Sequence, residues 1–214
     1  MATELIIIIA ITSIVSYIGF NELNFFRKYD FNIASIRAGD QIRMFTSGFL
    51  HVDFMHLFFN LFVLFMFAPI VINFMGGTTF IVIYLASLLS GSLLSLQMHK
   101  NEPHYRAVGA SGAVTGIVYA AILLQPNMEL RFIFFPFIPI KGYIFGILYL
   151  LYSIYGMKSK SDNIGHSAHF GGAIGGFTFT LIKFPYLFTD MPYILILLAL
   201  PILILFILIK SGKI

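Results

Sequence analysis

Seven apolar runs separated by polar stretches set the rhythm of the chain. They cover Leu5 to Phe20, Phe54 to Phe74, Thr78 to Met98, Ser111 to Leu124, Gly142 to Met157, Ala168 to Leu187 and Met191 to Ile209. A hydrocarbon core asks for about 20 residues per helix, and some of these runs are shorter. Pro201 offers a kink in the last. Between the first two runs lies a polar, aromatic-rich stretch, Asn21 to Leu50, too long for a tight turn. It is predicted to carry interfacial helical pieces. The segment QPNMELRFIFFPFIPIK holds three prolines, which argue against one continuous helix there.

Composition turns this pattern into a class. Of the 214 residues 59% are hydrophobic and 10% charged, where a soluble domain carries about a quarter charged. The prediction is an all-α polytopic membrane protein without internal repeats. Residues 1–190 form a core of six transmembrane helices, and 191–214 add a seventh helix and a short tail. The N-terminus lacks a basic leader and a small-residue cleavage site, so it reads as a retained first span. With no cysteine, disulfides and thiol catalysis are excluded. A net charge of +4, spread over several loops, gives no nucleic-acid patch.

Parity brings distant residues to one depth. Spans two, four and six cross in the same direction, so His56 and Asn60, Ser111 and His169 all lie within a few turns of one membrane face. Span four carries a small residue every fourth position at Gly112, Gly116 and Ala120. Span six does so at Ala168, Gly172 and Gly176, with Gly171 and Gly175 beside them. Such stripes let membrane helices approach closely, and pairing of the two would bring Ser111 to His169.

Each polar residue has a plainer reading. Ser87, Ser90, Ser92 and Ser95 fit helix packing. Ser111 differs because it opens a helix after Gly109-Ala110, where unpaired amides and the helix dipole favour negative charge. That suits a nucleophile with a built-in oxyanion site, and equally an N-cap serine. A histidine within a span, as His169, is costly and usually functional, though it can also bond a carbonyl for packing. All nine acidic residues lie in loops or at span ends, so a Ser–His dyad is supported rather than a triad. His56 and Asn60 share a helix face and can both donate to a developing oxyanion, or hold helices together. His51 reads as ordering the entry loop; His99, His104 and His166 read as solvated.

Other chemistries fit less well. Neither His51 nor His56 is followed by the glutamate of a zinc protease, and no carboxylate or thiolate completes a metal site at His166 and His169. No aspartate lies mid-span for an aspartyl protease. The polar cluster sits near one face, whereas transporters bury ionisable groups at mid-depth.

FLHVDFMHLFFNLFV, GASGAVTG and HSAHFGGAIGG together resemble the rhomboid family of intramembrane serine proteases. The family's H-x4-H-x3-N falls on His51, His56 and Asn60, G-x-S-G on Gly109 to Gly112, and A-H-x2-G-x3-G on Ala168, His169, Gly172 and Gly176. IRMFTSGFLH resembles the first-loop W-R segment, with Ile42 where Trp is usual and Arg43 retained. The resemblance implies Ser111 as nucleophile and His169 as general base. It implies an oxyanion hole of His56, Asn60 and the Ser111 amide, with packing support from Gly109, Gly112, Gly116, Ala168, Gly172 and Gly176 and first-loop support from His51 and Arg43. It also implies a half-embedded first loop, a gate made by span five and the loop Lys158 to Ser167, no cofactor or metal, and transmembrane proteins in the lipid bilayer as substrates. The seventh span resembles the six-plus-one variants. Thr115 stands where the family often has an aromatic that packs on the catalytic histidine, which leaves His169 to be oriented by Thr115 or by an aromatic such as Tyr119. Ten Lys and Arg lie on the catalytic face and three opposite. Positive-inside reasoning would then put the site in the cytoplasm, whereas the resemblance puts it on the extracytoplasmic side of a bacterial inner membrane. The rival reading is a rhomboid-like protein that binds membrane proteins without cutting them.

Overall fold

The computed structural model describes residues 2–132, 135–159 and 164–214. The apolar runs form α1 (Thr3–Asn21), α5 (Phe54–Met75), α6 (Gly77–Met98), α7 (Ser111–Leu124), α8 (Gly142–Ser159), α9 (His166–Lys183) and α11 (Pro192–Lys210). Among the described residues four of them, α1, α5, α6 and α11, are long and apolar enough to cross a membrane by themselves. The sixth run ends earlier than its hydropathy suggests. Pro185 has no amide for the ladder, and the short helix α10 (Leu187–Asp190) follows as a separate piece.

The stretch between the first two spans folds into short pieces, as its polarity suggests: α2 (Leu23–Tyr29), α3 (Ile33–Arg37), α4 (Arg43–Thr46) and a 3-10 turn at Ser47–Phe49. The fold is all-α as predicted, and among the described residues two small two-stranded sheets accompany the helices. β1 (Phe31–Asn32) pairs antiparallel with β2 (Arg106–Ala107), which clips the first loop to the segment entering α7. The proline-rich segment forms the antiparallel pair β3 (Glu129–Phe132) and β4 (Phe135–Lys141), with Glu129 opposite Lys141.

α7 is the centre of the molecule. At 14 residues it is about 21 Å long, short of the hydrocarbon thickness. Every residue from Gly112 to Leu123 is nevertheless buried, so protein rather than lipid surrounds it. α5, α6, α8 and α9 pack around it. The two small-residue stripes face each other. A Cβ on Gly112 would lie 3.1 Å from the Ala168 carbonyl oxygen, and one on Gly172 would collide with the Gly112 carbonyl. Gly171 and Gly175 serve the other side of α9, against the α6 backbone at Ser90 and Ser87. α9 is thus wedged between two helices at backbone contact. α11 joins the same core through Leu195, Leu198 and Leu205, with Leu198 seated on Gly146 of α8.

Asp30 fastens the first loop. Its carboxylate is buried and accepts from Arg43 at 3.0 Å and Arg106 at 2.6 Å, with Arg27 at 3.6 Å. Ser92 of α6 adds a hydrogen bond to the Met44 carbonyl at 2.7 Å. Removing one partner of such a buried cluster strands the others. Asp30→Asn is therefore expected to cost about 2 kcal/mol, below the figure for a fully buried pair because Arg27 and Arg106 are partly exposed. A drop in the thermal midpoint in detergent would register it, and an unchanged midpoint would refute the role.

Candidate active site

The site begins at the entry to α5. Asp53 caps this helix, its Oδ1 accepting from the His56 amide at 2.7 Å. That fixes the first turn, and one turn on the Asn60 side-chain amide donates to the His56 carbonyl at 2.9 Å. The two residues share the cavity side of α5, as their spacing predicts.

Gly109 shapes the next part. Its φ of 131° is a conformation that glycine tolerates and other residues resist. A Cβ there would lie 2.8 Å and 2.9 Å from ring atoms of His56 and 3.7 Å from the Ser111 hydroxyl. The His56 imidazole and the Ser111 Oγ therefore converge on one point above Gly109. The Gly109 amide is held by the Ser47 carbonyl at 3.0 Å. Ala110 occupies the cap position of α7 and no side chain caps the helix. Ser111 is thus the first helical residue and not an N-cap, and the free amide end of α7 lies beside its hydroxyl.

His169 arrives on α9. Ala168, its neighbour, packs on Gly112, the neighbour of Ser111, and Ser111 and His169 line one open cavity of about 1450 Å³ with His56 and Asn60. The orientation of His169 differs from the expectation. Tyr119 bonds the Gly146 carbonyl instead, and Thr115 does not bond the ring directly. A partner among the described residues is Tyr149 of α8, whose hydroxyl lies 2.9 Å from His169 Nδ1 and 3.3 Å from Thr115 Oγ1. Its ring stacks on the imidazole at a centroid distance of 6.0 Å. Nothing in the spacing of Tyr149 marks it, because the contact joins two different helices, α8 and α9.

Two other histidines depart from the solvated reading. His166 is buried at the start of α9, with Gly156 leaving room for its ring and Tyr152 and His169 edge-on to it. His99 is half-buried, stacked on Tyr105 at 3.7 Å with Nδ1 2.9 Å from Glu102. Only His104 is exposed, as expected. Of the expected gate loop Lys158 to Ser167, residues 160–163 lie outside the described residues. Among the described residues no three metal-ligating side chains converge.

His51 is fully buried just before α5 and links three segments. Ser16 of α1 donates to the Phe49 carbonyl at 2.9 Å, so His51 Nδ1–H donates to Ser16 Oγ at 2.8 Å. Nε2 then accepts from the Ala110 amide at 3.3 Å. Both ring nitrogens are thereby assigned in the neutral form. Burial first, and then the neighbouring His56, push the imidazole down from 6.5 to about 3, against an opposing pull from Asp53. The unfolded chain takes up this proton near 6.5 while the folded one refuses it until about 3. Stability is therefore full above pH 6.5 and is lost as pH falls through this window. Thermal midpoints measured from pH 7 to pH 4 should fall less steeply for His51→Gln than for the parent; parallel profiles would refute it.

Arg43 lies outside the cavity and holds Asp30 and Asp40. With Arg27 and Arg106 on the same carboxylate, and Arg37 donating to the Lys100 carbonyl at 2.9 Å, four of the ten cations on this face are engaged within the fold. Ile42, in the tryptophan position, is largely exposed and adds no contact to this network.

Comparison with known proteins gives a consistent set of relatives. A family model described as the Rhomboid domain matches residues 38–186. RHOMBOID-like protein 12, mitochondrial, of Arabidopsis thaliana is 28% identical over 169 residues, covering 72% of this chain and 50% of that protein. Rhomboid protease GluP of Bacillus subtilis is 33% identical over 142 residues, 66% of this chain and 26% of that protein. Rhomboid protein 1, mitochondrial, of Saccharomyces cerevisiae is 26% identical, over 64% of this chain and 40% of that protein. The chain thus matches half or less of the length of each of these three. The family match stops before α11.

Proposed function

Because the chain belongs to the rhomboid family and is a multi-pass membrane protein, we propose that it is an intramembrane serine endopeptidase working with a Ser–His dyad and without a cofactor. The observation that carries this reading is the convergence of the Ser111 hydroxyl and the His56 ring above Gly109, on the cavity that His169 also lines.

In the proposed reaction Ser111 Oγ attacks the scissile carbonyl while His169 Nε2 takes its proton. The Ser111 amide, His56 and Asn60 donate to the oxyanion of the tetrahedral intermediate. The same imidazolium returns the proton to the leaving amine, and the acyl-enzyme is then hydrolysed by water that His169 deprotonates. Substrates are transmembrane proteins cut in or next to a span. A helix hides its carbonyls in its own ladder, so the cut segment must unwind first.

The membrane we propose is a bacterial inner membrane, with the catalytic face opening to the extracytoplasmic side. GluP of Bacillus subtilis supports a bacterial setting, while two of the three relatives above are mitochondrial by name. The Lys and Arg count favours the reverse orientation, and the proposed orientation follows the family resemblance against it.

A fluorescent fluorophosphonate, applied to protein purified in mild detergent, tests for the activated serine without a known substrate. Labelling of the parent, absent from Ser111→Ala, is the expected result. A folded parent that stays dark would overturn the protease reading in favour of a rhomboid-like binding protein.

A further inference from the structure

The hydroxyls beside His169 form a chain with a direction. Thr115 Oγ1 lies 2.8 Å from the Ser111 carbonyl, four residues back on α7, and its single proton goes there. Its lone pairs remain to receive a proton from Tyr149, at 3.3 Å. With the Tyr149 proton directed to Thr115, the phenol oxygen is an acceptor towards His169 Nδ1 at 2.9 Å. Nδ1 must then carry the ring's hydrogen, and in the neutral imidazole Nε2 is left with its lone pair.

We propose that Tyr149 and Thr115 are positioning residues that fix the tautomer of His169, a task for which a triad would use a carboxylate. The proposal rests on His169 being the general base of the reading above. The relay runs from His169 Nδ1–H to Tyr149, from Tyr149 to Thr115, and from Thr115 to the carbonyl of Ser111, so it ends on the nucleophile's own residue. Once His169 has taken the Ser111 proton on Nε2, its Nδ1–H still has a fixed acceptor. Cooperative polarisation along the chain supports the charge that appears. Thr115 and Tyr119 lie one turn apart on α7, and through Tyr149 and the Gly146 carbonyl they clasp α8 at two points. The base is therefore set only while α8 is seated, which ties its readiness to a helix on a different part of the bundle.

The test uses the full chain with ¹⁵N-labelled histidine in detergent, His169 being identified by the signal lost in His169→Gln. In the parent, His169 should show a protonated Nδ1 and an unprotonated Nε2. Tyr149→Phe, which keeps the ring and removes the hydroxyl, should mix the two tautomers. It should also slow fluorophosphonate labelling by roughly 10–100-fold. Thr115→Val, one hydroxyl further away, should do the same to a smaller extent, and Thr115→Ser should restore both readouts. Thermal midpoints near that of the parent show that folding is not the cause. A parent His169 protonated on Nε2, or Tyr149→Phe with parental tautomer and labelling rate, would overturn the relay. A parent with the expected tautomer that takes no label would support the relay while overturning the protease reading, so the two failures are separate.

Discussion

Under the proposed mechanism Ser111→Ala is expected to abolish proteolysis, with a loss on the order of 10⁴-fold or more, because Ser111 is the nucleophile that forms the acyl-enzyme and the one cavity serine at the open N-terminus of α7. His169→Ala should cost a comparable factor, since a hydroxyl without its base is a weak nucleophile near neutral pH. The two losses should not add, because both residues act in one step. The helix start gives this prediction its sharpness. Ser111 occupies the first helical position of α7 with Ala110 as an uncapped cap residue. The alanine variant therefore removes no cap, and the fold should keep its thermal midpoint. Cleavage of a reconstituted transmembrane substrate is the decisive measurement. Residual cleavage above a few per cent in Ser111→Ala, with the fold intact, would show that another group does the chemistry.

The largest effect on stability is expected from a single added methyl group. Gly172→Ala would drive a Cβ into the Gly112 carbonyl, with the Gly112 carbonyl carbon at 2.7 Å and Cα at 3.1 Å. The obstacle is helix backbone, which cannot swing aside as a side chain can. To accept the methyl, α9 must move away from α7, and Gly171 and Gly175 hold it against α6 on the other side. Overpacking of this kind costs about 3 kcal/mol, and in lipid the lost close packing is itself the main force between helices. The same shift would pull His169 away from Ser111, so labelling should fall along with the thermal midpoint. Gly39→Ala is the control for adding a methyl to a glycine, because nothing lies within 4 Å of its Cβ position, although its φ of 109° adds local strain. A stable, fully labelled Gly172→Ala would refute the wedge.

Much of this was legible in the chain. Apolar runs give helix ends close to those observed: Ser111 to Leu124 is identical in the structure, and the second and third runs differ by a residue at an end. Hydropathy works here because a lipid-facing helix leaves its period and its limits in composition alone. Chain parity put His56, Asn60, Ser111 and His169 at one depth, since alternate spans of a bundle start on the same face. The small residues at spacing four announced close packing of α7 and α9.

What the chain did not disclose depends on rotation and on pairings between distant segments. His166 has the same local sequence whether it points to water or into the space left by Gly156, and burial decided it. Asp30 looks like one more loop acid until β1 and β2 bring Arg106 to it. Tyr149 is one of several tyrosines along α8, and only the turn of that helix against α7 and α9 selects it. The sequence by itself determined the spans, their order, their shared depth and the candidate nucleophile and base, because those follow from hydropathy, parity and spacing along the chain. Tertiary structure alone decided which face each helix shows its neighbours, and hence which hydroxyl holds His169, because a helix's rotation is set by packing against partners far away in sequence.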